Sequence, residues 1–342
     1  MSPDAKVALS MKEVGIDLGT SNTLIYVKGS GIVINEPSYV AFNKKSGEIV
    51  GVGQKAYAMY AKTPEHIEVS RPLTNGIIFD FEVTESMLSY FMNFLKQGWG
   101  GFMSRPFVII GIPTHITEVE KGAVEDVVRS AGAKKVILIE EPLLAGIGAG
   151  LPVGESSGSI IIDIGGGTTE IGLISLGGLV VKKNLNIAGD KFDQDIIEYI
   201  KSTFNLLIGS ITAERIKKEI GSAMVLEKPL SLAVYGRDLS KGLPCQITIT
   251  DQHIREALND SLEKIAETLK DVLHIAPPEL AVDIVKNNII ITGGGGLLRG
   301  FPKFLEKKTQ MPCRLADDPL TTVVRGEGLM LENFDTMRSL LS

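Results

Sequence analysis

The chain reads as an α/β protein of two related halves, on three observations. Its 342 residues are 44% hydrophobic, ample for a large core and long for a single domain. Short apolar runs of strand length alternate with segments whose apolar residues recur at helical spacing. One device occurs twice, around Asp17 and around Asp163: a strand, Asp-x-Gly, small hydroxyl residues, then a second strand. A repeat at that distance marks two similar half-domains, because solenoid repeats are far shorter. The polar stretch Leu151–Gly158 is the natural boundary, giving halves of 12–152 and 153–335.

The second copy, Ser159–Ile174 (SIIIDIGGGTTEIGLI), organises its half. Asp163 stands where the first strand stops being apolar. Gly165, Gly166 and Gly167 lack a Cβ, so their backbone can approach a bulky anion and present N–H groups to it. Thr168 and Thr169 add hydroxyls at the same mouth. An acid beside a ring of donors suits a phosphate chain carrying a divalent cation. The alternative is a tight hairpin that uses its glycines only for turning. The first copy, Val14–Val27 (VGIDLGTSNTLIYV), weakens that alternative, since it repeats the acid as Asp17 and continues through Gly19, Thr20, Ser21 and Asn22. Two facing glycine hairpins would pinch a phosphate chain between them, as a nucleotide clamp does.

A net charge of −6 and an isoelectric point near 5.4 argue against nucleic acid as a partner, which would need a basic face. The two cysteines, Cys245 and Cys313, have no close-spaced partner and read as reduced thiols. The four histidines are scattered, and His66 reads as a solvated loop residue. The first dozen residues lack a basic region followed by an apolar one, so no signal peptide is expected. No apolar run approaches the roughly 20 residues that span a bilayer, so any membrane contact is peripheral.

In order along the chain, Gly31–Val52 alternates short strands with turns, Gln54–Lys62 forms a short helix and His66–Asp80 a loop. Thr84 caps a helix carrying Met87, Leu88, Phe91 and Leu95 on one face, ending at Gly98. The glycine-rich segment 98–106 holds the only tryptophan, Trp99, with Phe102 and Met103, side chains that either fold back or point at something else. Phe107–Pro113 is a buried strand, and Thr117 with Glu120 forms a capping box that opens a helix through Ser130. The strand Lys135–Ile139 ends in Glu140-Glu141-Pro142. These acids either face a ligand at the edge of an open sheet or pair with a helix dipole. In the second half Gly189 and Asp190 precede a helix starting near Phe192, a further candidate phosphate neighbour. Glu214 and Lys217 read locally as a surface ion pair at i, i+3. Strands fill 229–250, with turns at Tyr235–Asp238 and Lys241–Pro244, and Asp251 caps a long helix. Gly293, Gly294, Gly295 and Gly296 follow a buried strand and either admit a flat ligand or simply turn. A helix over Thr321–Asn333, eased by Gly326 and Gly328, completes the pattern.

Paired Asp-x-Gly hairpins, an acid–proline strand end and a late strand–GGGG turn together resemble the actin and heat-shock-chaperone ATPase superfamily. Within it, the wording DLGTSNTLIYVKGSGIVINEPS, IEEP, DIGGGTTEIGLISLGG, IAGDKFD and ITGGGGLLRG is similar to the MreB family of bacterial actin-like rod-shape proteins, from about Val14 to Asn333. The resemblance implies an actin-like ATPase fold: two lobes, each with a mixed five-stranded-type sheet and flanking helices, and ATP or ADP with Mg²⁺ in the cleft between them. It adds a small insert to each lobe, near 32–78 and 190–250. It assigns Asp17, Gly19, Thr20, Ser21 and Asn22 to a first phosphate loop, and Asp163 with Gly165, Gly166, Gly167 and Thr168 to a second. Asp17 and Asp163 become the metal residues, with Gly189 and Asp190 close to the nucleotide. Glu141 orients the attacking water, beside Asp163 and Thr168, and Glu140 is its neighbour. Glu214 and Lys217 become ribose and adenine contacts, and Gly293 to Gly296 the adenosine turn.

The implied activity is slow ATP hydrolysis coupled to polymerisation, a phosphoryl transfer to water run by positioning and charge stabilisation. The implied setting is a filament of copies of the chain, peripheral on the inner face of the plasma membrane, with cell-shape or cell-wall-synthesis partners. Trp99, Phe102 and Met103 then coincide with a loop that inserts into an anionic membrane. Two departures stand out. Many relatives read EEPMAAAIG where this chain has EEPLLAGIGAG, so Leu144 and Gly146 alter the helix behind Glu141. Met1–Lys12 shows no helical apolar face, which leaves anchoring to the Trp99 segment. A soluble small-molecule kinase of the same superfold is the alternative, with no sedimentable filaments.

Overall fold

The computed structural model describes residues 12–98 and 105–337. They group into two compact units: one runs to Leu144 and resumes at Val323, and the other is Ala145–Thr322. Each unit is built on a five-stranded mixed sheet with the same connectivity.

In the first unit β1 (Glu13–Leu18), β2 (Asn22–Val27) and β3 (Gly31–Pro37) form an antiparallel meander. Helix α1 (Phe81–Gly98), β4 (Phe107–Ile112), α2 (Glu118–Ser130) and β5 (Lys135–Glu140) follow. Strand β4 lies parallel to both β1 and β5, giving the order β5-β4-β1-β2-β3. Helix α3 (Glu141–Gly148) begins on the residue after β5. The chain between β3 and α1 forms a small sheet of Val40–Asn43, Ile49–Val52 and Ile67–Ser70 with a one-turn helix, Gln54–Tyr57.

The second unit repeats the scheme. β6 (Ser159–Ile164), β7 (Thr169–Ser175) and β8 (Gly178–Leu185) are the meander. After α4 (Gly189–Phe204), α5 (Ser210–Ile220) and α6 (Asp251–Ile275), β9 (Ile289–Thr292) and β10 (Cys313–Leu315) add in parallel, giving β8-β7-β6-β9-β10. All six residues of β4 and of β6, and all seven of β7, are buried. β4 and β6, which take part in parallel pairing, read accordingly as nearly unbroken apolar runs, whereas β7 pairs antiparallel on both sides and buries Thr169, Glu170 and Ser175 as well. Each unit has its own core, Val14, Ile16, Ile110 and Val127 in one, Ile162, Leu173, Phe192 and Leu262 in the other. Fully burying one such side chain is worth about 1.5–3 kcal/mol.

Several helix ends follow their local chemistry. The capping box at Thr117 and Glu120 forms on both sides, with Thr117 N–H donating to Glu120 Oε2 at 2.8 Å. Thr84 is not a cap. It lies buried in the first turns of α1 and donates its hydroxyl to the Asp80 carbonyl at 2.6 Å, while Asp80 Oδ1 accepts from Val83 N–H. Nor does Asp251 cap α6. Thr250 with His253 does so, and the Asp251 carboxylate accepts the Leu230 N–H and pairs with Arg255. Tyr235–Asp238 is strand, because pairing of Ser231–Asp238 with Pro244–Thr250 runs on to Arg237 opposite Pro244. The Thr322–Glu332 helix leaves the second half after its first residue and joins the first unit. Its glycines allow this, since a Cβ on Gly326 would strike the Leu144 carbonyl and one on Gly328 would lie 2.7 Å from the Tyr26 ring. Among the described residues no helix is long and apolar enough to cross a membrane.

Candidate functional site

In the first unit the turn between β1 and β2 is held from behind. Gly19 N–H closes it on the Asn22 carbonyl at 3.1 Å. The Ser38 hydroxyl donates to the Gly19 carbonyl at 2.6 Å and its N–H to the Ser21 carbonyl at 2.9 Å. Arg71 donates to the Thr20 carbonyl at 3.0 and 3.3 Å, its guanidinium lying 5.7 Å from the Tyr39 ring centre. The Thr20 hydroxyl accepts the Gly76 N–H at 2.8 Å, which leaves its own proton to donate elsewhere. Asn22 donates to the side chain of Asn35. Asp17, at the end of β1, is partly buried, and burial pushes its carboxyl up to about 7.

Glu141 opens α3 with its Cγ against Gly111, where an added Cβ would come within 3.2 Å. The other face of that glycine carries a group the sequence reading missed. Glu327 is wholly buried; its Oε1 accepts the Gly111 N–H at 2.9 Å, and its Oε2 has no hydrogen-bond partner among the described residues. Gly15 makes the room, since a Cβ there would lie 2.7 Å from Glu327 Cβ. Burial first, then Asp17 and Glu141, holds the Glu327 carboxyl well above the usual range. The available signal was an acid set directly between two glycines, Gly326 and Gly328.

In the second unit Asp163 ends β6 beside Thr292 of β9 and is buried. Gly165 N–H closes the turn on the Thr168 carbonyl at 2.9 Å. The carbonyls of Gly165 and Gly166 accept the N–H groups of Gly189 and Asp190, the start of α4, at 3.1 and 2.8 Å. In a trans peptide the carbonyl and the next N–H point opposite ways. The amides of Gly166 and Gly167 are therefore turned away from α4, which makes the backbone cradle that an anion requires. Gly293, at φ +77°, passes directly over the Asp163 carboxyl and the Ile164 carbonyl, where any Cβ would collide. A Cβ on Gly295 or Gly296 would likewise strike Ile164 or Ile291, at 2.2 and 2.8 Å, while at Gly294 only the Leu320 tip comes near, at 3.3 Å, so most of the GGGG run is demanded by packing against its own unit as well.

Lys217, on α5, donates to the Gly189 carbonyl at 2.7 Å and forms an ion pair with Asp193 at 2.9 Å, while Glu214 pairs with Lys218 at 2.7 Å. Burial, opposed by the Lys217 ammonium, leaves the Asp193 carboxyl raised to about 6. The structure thus brings Asp163, Gly165–Thr168, Gly189, Asp190, Lys217 and the glycine turn together in one unit, and Asp17, Gly19–Asn22 and Glu141 belong to the other. Trp99, Phe102 and Met103 lie outside the described residues. Among the described residues no three of His, Cys, Asp and Glu gather into a metal-holding group. Within the second unit Asp163, buried beside the Gly165–Thr168 loop, supplies one carboxylate of the kind that holds Mg²⁺ through its waters when the ion arrives with a phosphate chain.

The MreB/Mbl protein family matches residues 11–339. The chain belongs to the MreB/Mbl family. It is 44% identical over 326 residues to the cell shape-determining protein Mbl of Bacillus subtilis, covering 95% of this chain and 97% of Mbl. To the cell shape-determining protein MreB of Escherichia coli it is 46% identical over 329 residues, covering 94% of each. The crystal structure of MreB5 of Spiroplasma citri bound to ADP superposes with a TM-score of 0.91 at 37% identity, over 96% of this chain and 99% of MreB5. The fold is therefore the expected actin-like one, with a mixed sheet and flanking helices in each unit. The family also decides the class of protein: a cell-shape actin of the MreB/Mbl type, not a small-molecule kinase.

Proposed function

We propose that this MreB/Mbl family member binds ATP with Mg²⁺, hydrolyses it slowly, and so governs its assembly into filaments on the cytoplasmic face of an anionic membrane. The observation that carries the nucleotide reading is the Gly165–Gly167 loop, whose carbonyls are engaged behind and whose next amides face forward. The ADP bound to MreB5 supports it. In this reading the Gly166 and Gly167 amides, with the hydroxyls of Thr168, Thr20 and Ser21, take phosphate oxygens. Asp17 and Asp163 hold the cation or its waters, and a bound Mg²⁺ supplies charge neutralisation on the phosphates. Gly293–Gly296, Glu214 and Lys217 serve the nucleoside. Glu141 orients the attacking water, so that the protein's part is positioning rather than covalent chemistry.

The membrane part rests on Trp99, Phe102 and Met103. Burying two such aromatics in lipid gives roughly 3–6 kcal/mol. That is marginal for one subunit and firm for a filament that presents many copies. Helix α1, which leads toward that segment, supports it by exposing Tyr90 at 52% and Phe94 at 61%, one turn apart.

The deciding experiment is high-speed pelleting with ATP and Mg²⁺, with and without anionic liposomes, alongside binding of a fluorescent ATP. Filaments that gather on lipid are expected. A protein that binds no nucleotide overturns the whole proposal, and filaments indifferent to lipid remove the membrane part. Glu141→Ala should keep ATP binding and lose phosphate release by about 100-fold. Unchanged release would take Glu141 out of the mechanism.

A further inference from the structure

We propose that Asp193 is a positioning residue for the nucleotide: by clamping Lys217 on the Gly189 carbonyl, it couples the nucleoside side of the site to the phosphate-facing amides of Gly166 and Gly167. This rests on the nucleotide reading above and adds a residue that reading does not use. Lys217 has three N–H groups. One is donated to the Gly189 carbonyl at 2.7 Å, and the ammonium lies 2.9 Å from Asp193 Oδ1 as an ion pair outside hydrogen-bond geometry, both at the start of α4, so N–H groups remain to turn toward a ligand. The pair is largely enclosed, its side chains 15% and 13% exposed, so water competes little for it.

The Gly189 residue is shared between the two ends of the device. Its carbonyl receives Lys217, its N–H holds the Gly165 carbonyl at 3.1 Å, and the next N–H holds the Gly166 carbonyl at 2.8 Å. The layers lie close at this residue: a Cβ on Gly189 would come within 3.3 Å of the Gly165 oxygen and 3.5 Å of Lys217 Nζ. A shift of the ammonium therefore reaches, through one residue, the two carbonyls that turn the Gly166 and Gly167 amides forward. Rigid parts in such close contact move together.

Charge alone argues for the opposite result, which makes the proposal testable by sign. Asp193 is a negative charge near an anion site, so on electrostatics Asp193→Asn should bind ATP more tightly. We expect it to bind ATP more weakly, by about tenfold. Tripolyphosphate, which has no nucleoside for Lys217 to hold but uses the Gly166 and Gly167 amides, should also bind the variant more weakly, by less than ATP, because the coupling reaches those amides. Lys217→Met should weaken ATP to a similar degree, and the double variant should be no worse than the weaker single, because the two residues form one device. Asp193→Glu, which keeps the carboxylate, should recover part of the affinity.

The measurement is competition against fluorescent ATP in Mg²⁺, with the thermal midpoint of each variant recorded to recognise a folding defect. ATP affinity unchanged or raised in Asp193→Asn overturns the proposal, as do independent, additive losses in the double variant. Tripolyphosphate affinity left unchanged while ATP weakens also overturns it, because Lys217 would then act on the nucleoside alone. A wild-type chain that binds no ATP overturns the nucleotide reading, and this inference with it.

Discussion

The two glycine loops share a position in matching sheets, and they are held in different ways. The carbonyls of Gly19, Thr20 and Ser21 are taken by the insert that follows β3: the Ser38 hydroxyl, the Arg71 guanidinium and the Ser38 amide. The carbonyls of Gly165 and Gly166 are taken by backbone amides at the start of α4. A loop tied by side chains follows the segment that supplies them and loosens when one is cut. A loop tied by helix amides changes only when the start of that helix moves. The first loop is thus reached directly by side-chain substitution, and the second only through residues such as Lys217 that hold the start of α4.

That contrast can be broken by mutation. Gly293→Ala should have the largest effect, about 3 kcal/mol of lost stability, because it combines a left-handed φ with a collision at the Ile164 carbonyl. Urea denaturation measures it, and a loss under 1 kcal/mol would mean the turn relaxes easily. Next, Arg71→Ala strips a charged donor from the Thr20 carbonyl and should cost about 2 kcal/mol, read as weakened ATP binding. Smaller still are two hydroxyl deletions of about 1 kcal/mol each. Ser38→Ala frees the Gly19 carbonyl and should weaken ATP binding. Thr169→Val removes only a bond to the Ile187 carbonyl at 2.6 Å, so it should lower stability and leave ATP affinity alone. Equal losses of ATP affinity in the two would end the contrast between side-chain and backbone tethering.

A last effect concerns pH, through buried carboxyls that occur in both units, Asp17 and Glu327 in the first and Asp193 in the second. Asp17 has a folded-state pKa of about 7 against an ordinary 3.8, and Glu327 is raised in the same sense. Both hold a proton in the folded state that the unfolded chain has already released. Their contribution to stability is therefore complete below about pH 4 and falls as pH rises toward 7. Denaturation without nucleotide or Mg²⁺ should show this decline, and Asp17→Asn should flatten it. A wild-type profile that is level from pH 4 to 7 would show that Asp17 is better solvated than its surroundings indicate.

Much of the fold was legible because its signals are local. Alternation and apolar runs located both meanders, Asp-x-Gly located both hairpins, and Thr117 with Glu120 located a helix start to the residue. Where the reading slipped, the competing group stood a few positions away: Asp80 for Thr84, and Thr250 for Asp251. An isolated stretch offers several oxygens able to cap a helix, and the surrounding packing selects among them.

The sequence by itself determined the two-fold α/β plan, the strands and the glycine turns, since these depend on periodicity and on the residues a turn admits. Only the tertiary structure decided what holds them. Arg71 reaches Thr20 across 51 positions, Glu327 reaches Gly111 across 216, and the last helix returns to the first unit. Lys217 turns to Asp193 instead of serving as a simple helix-surface pair. Such contacts leave no mark in a short window, because what fixes them is which faces meet when the core closes, and burial then leaves each polar group only the partner within its reach.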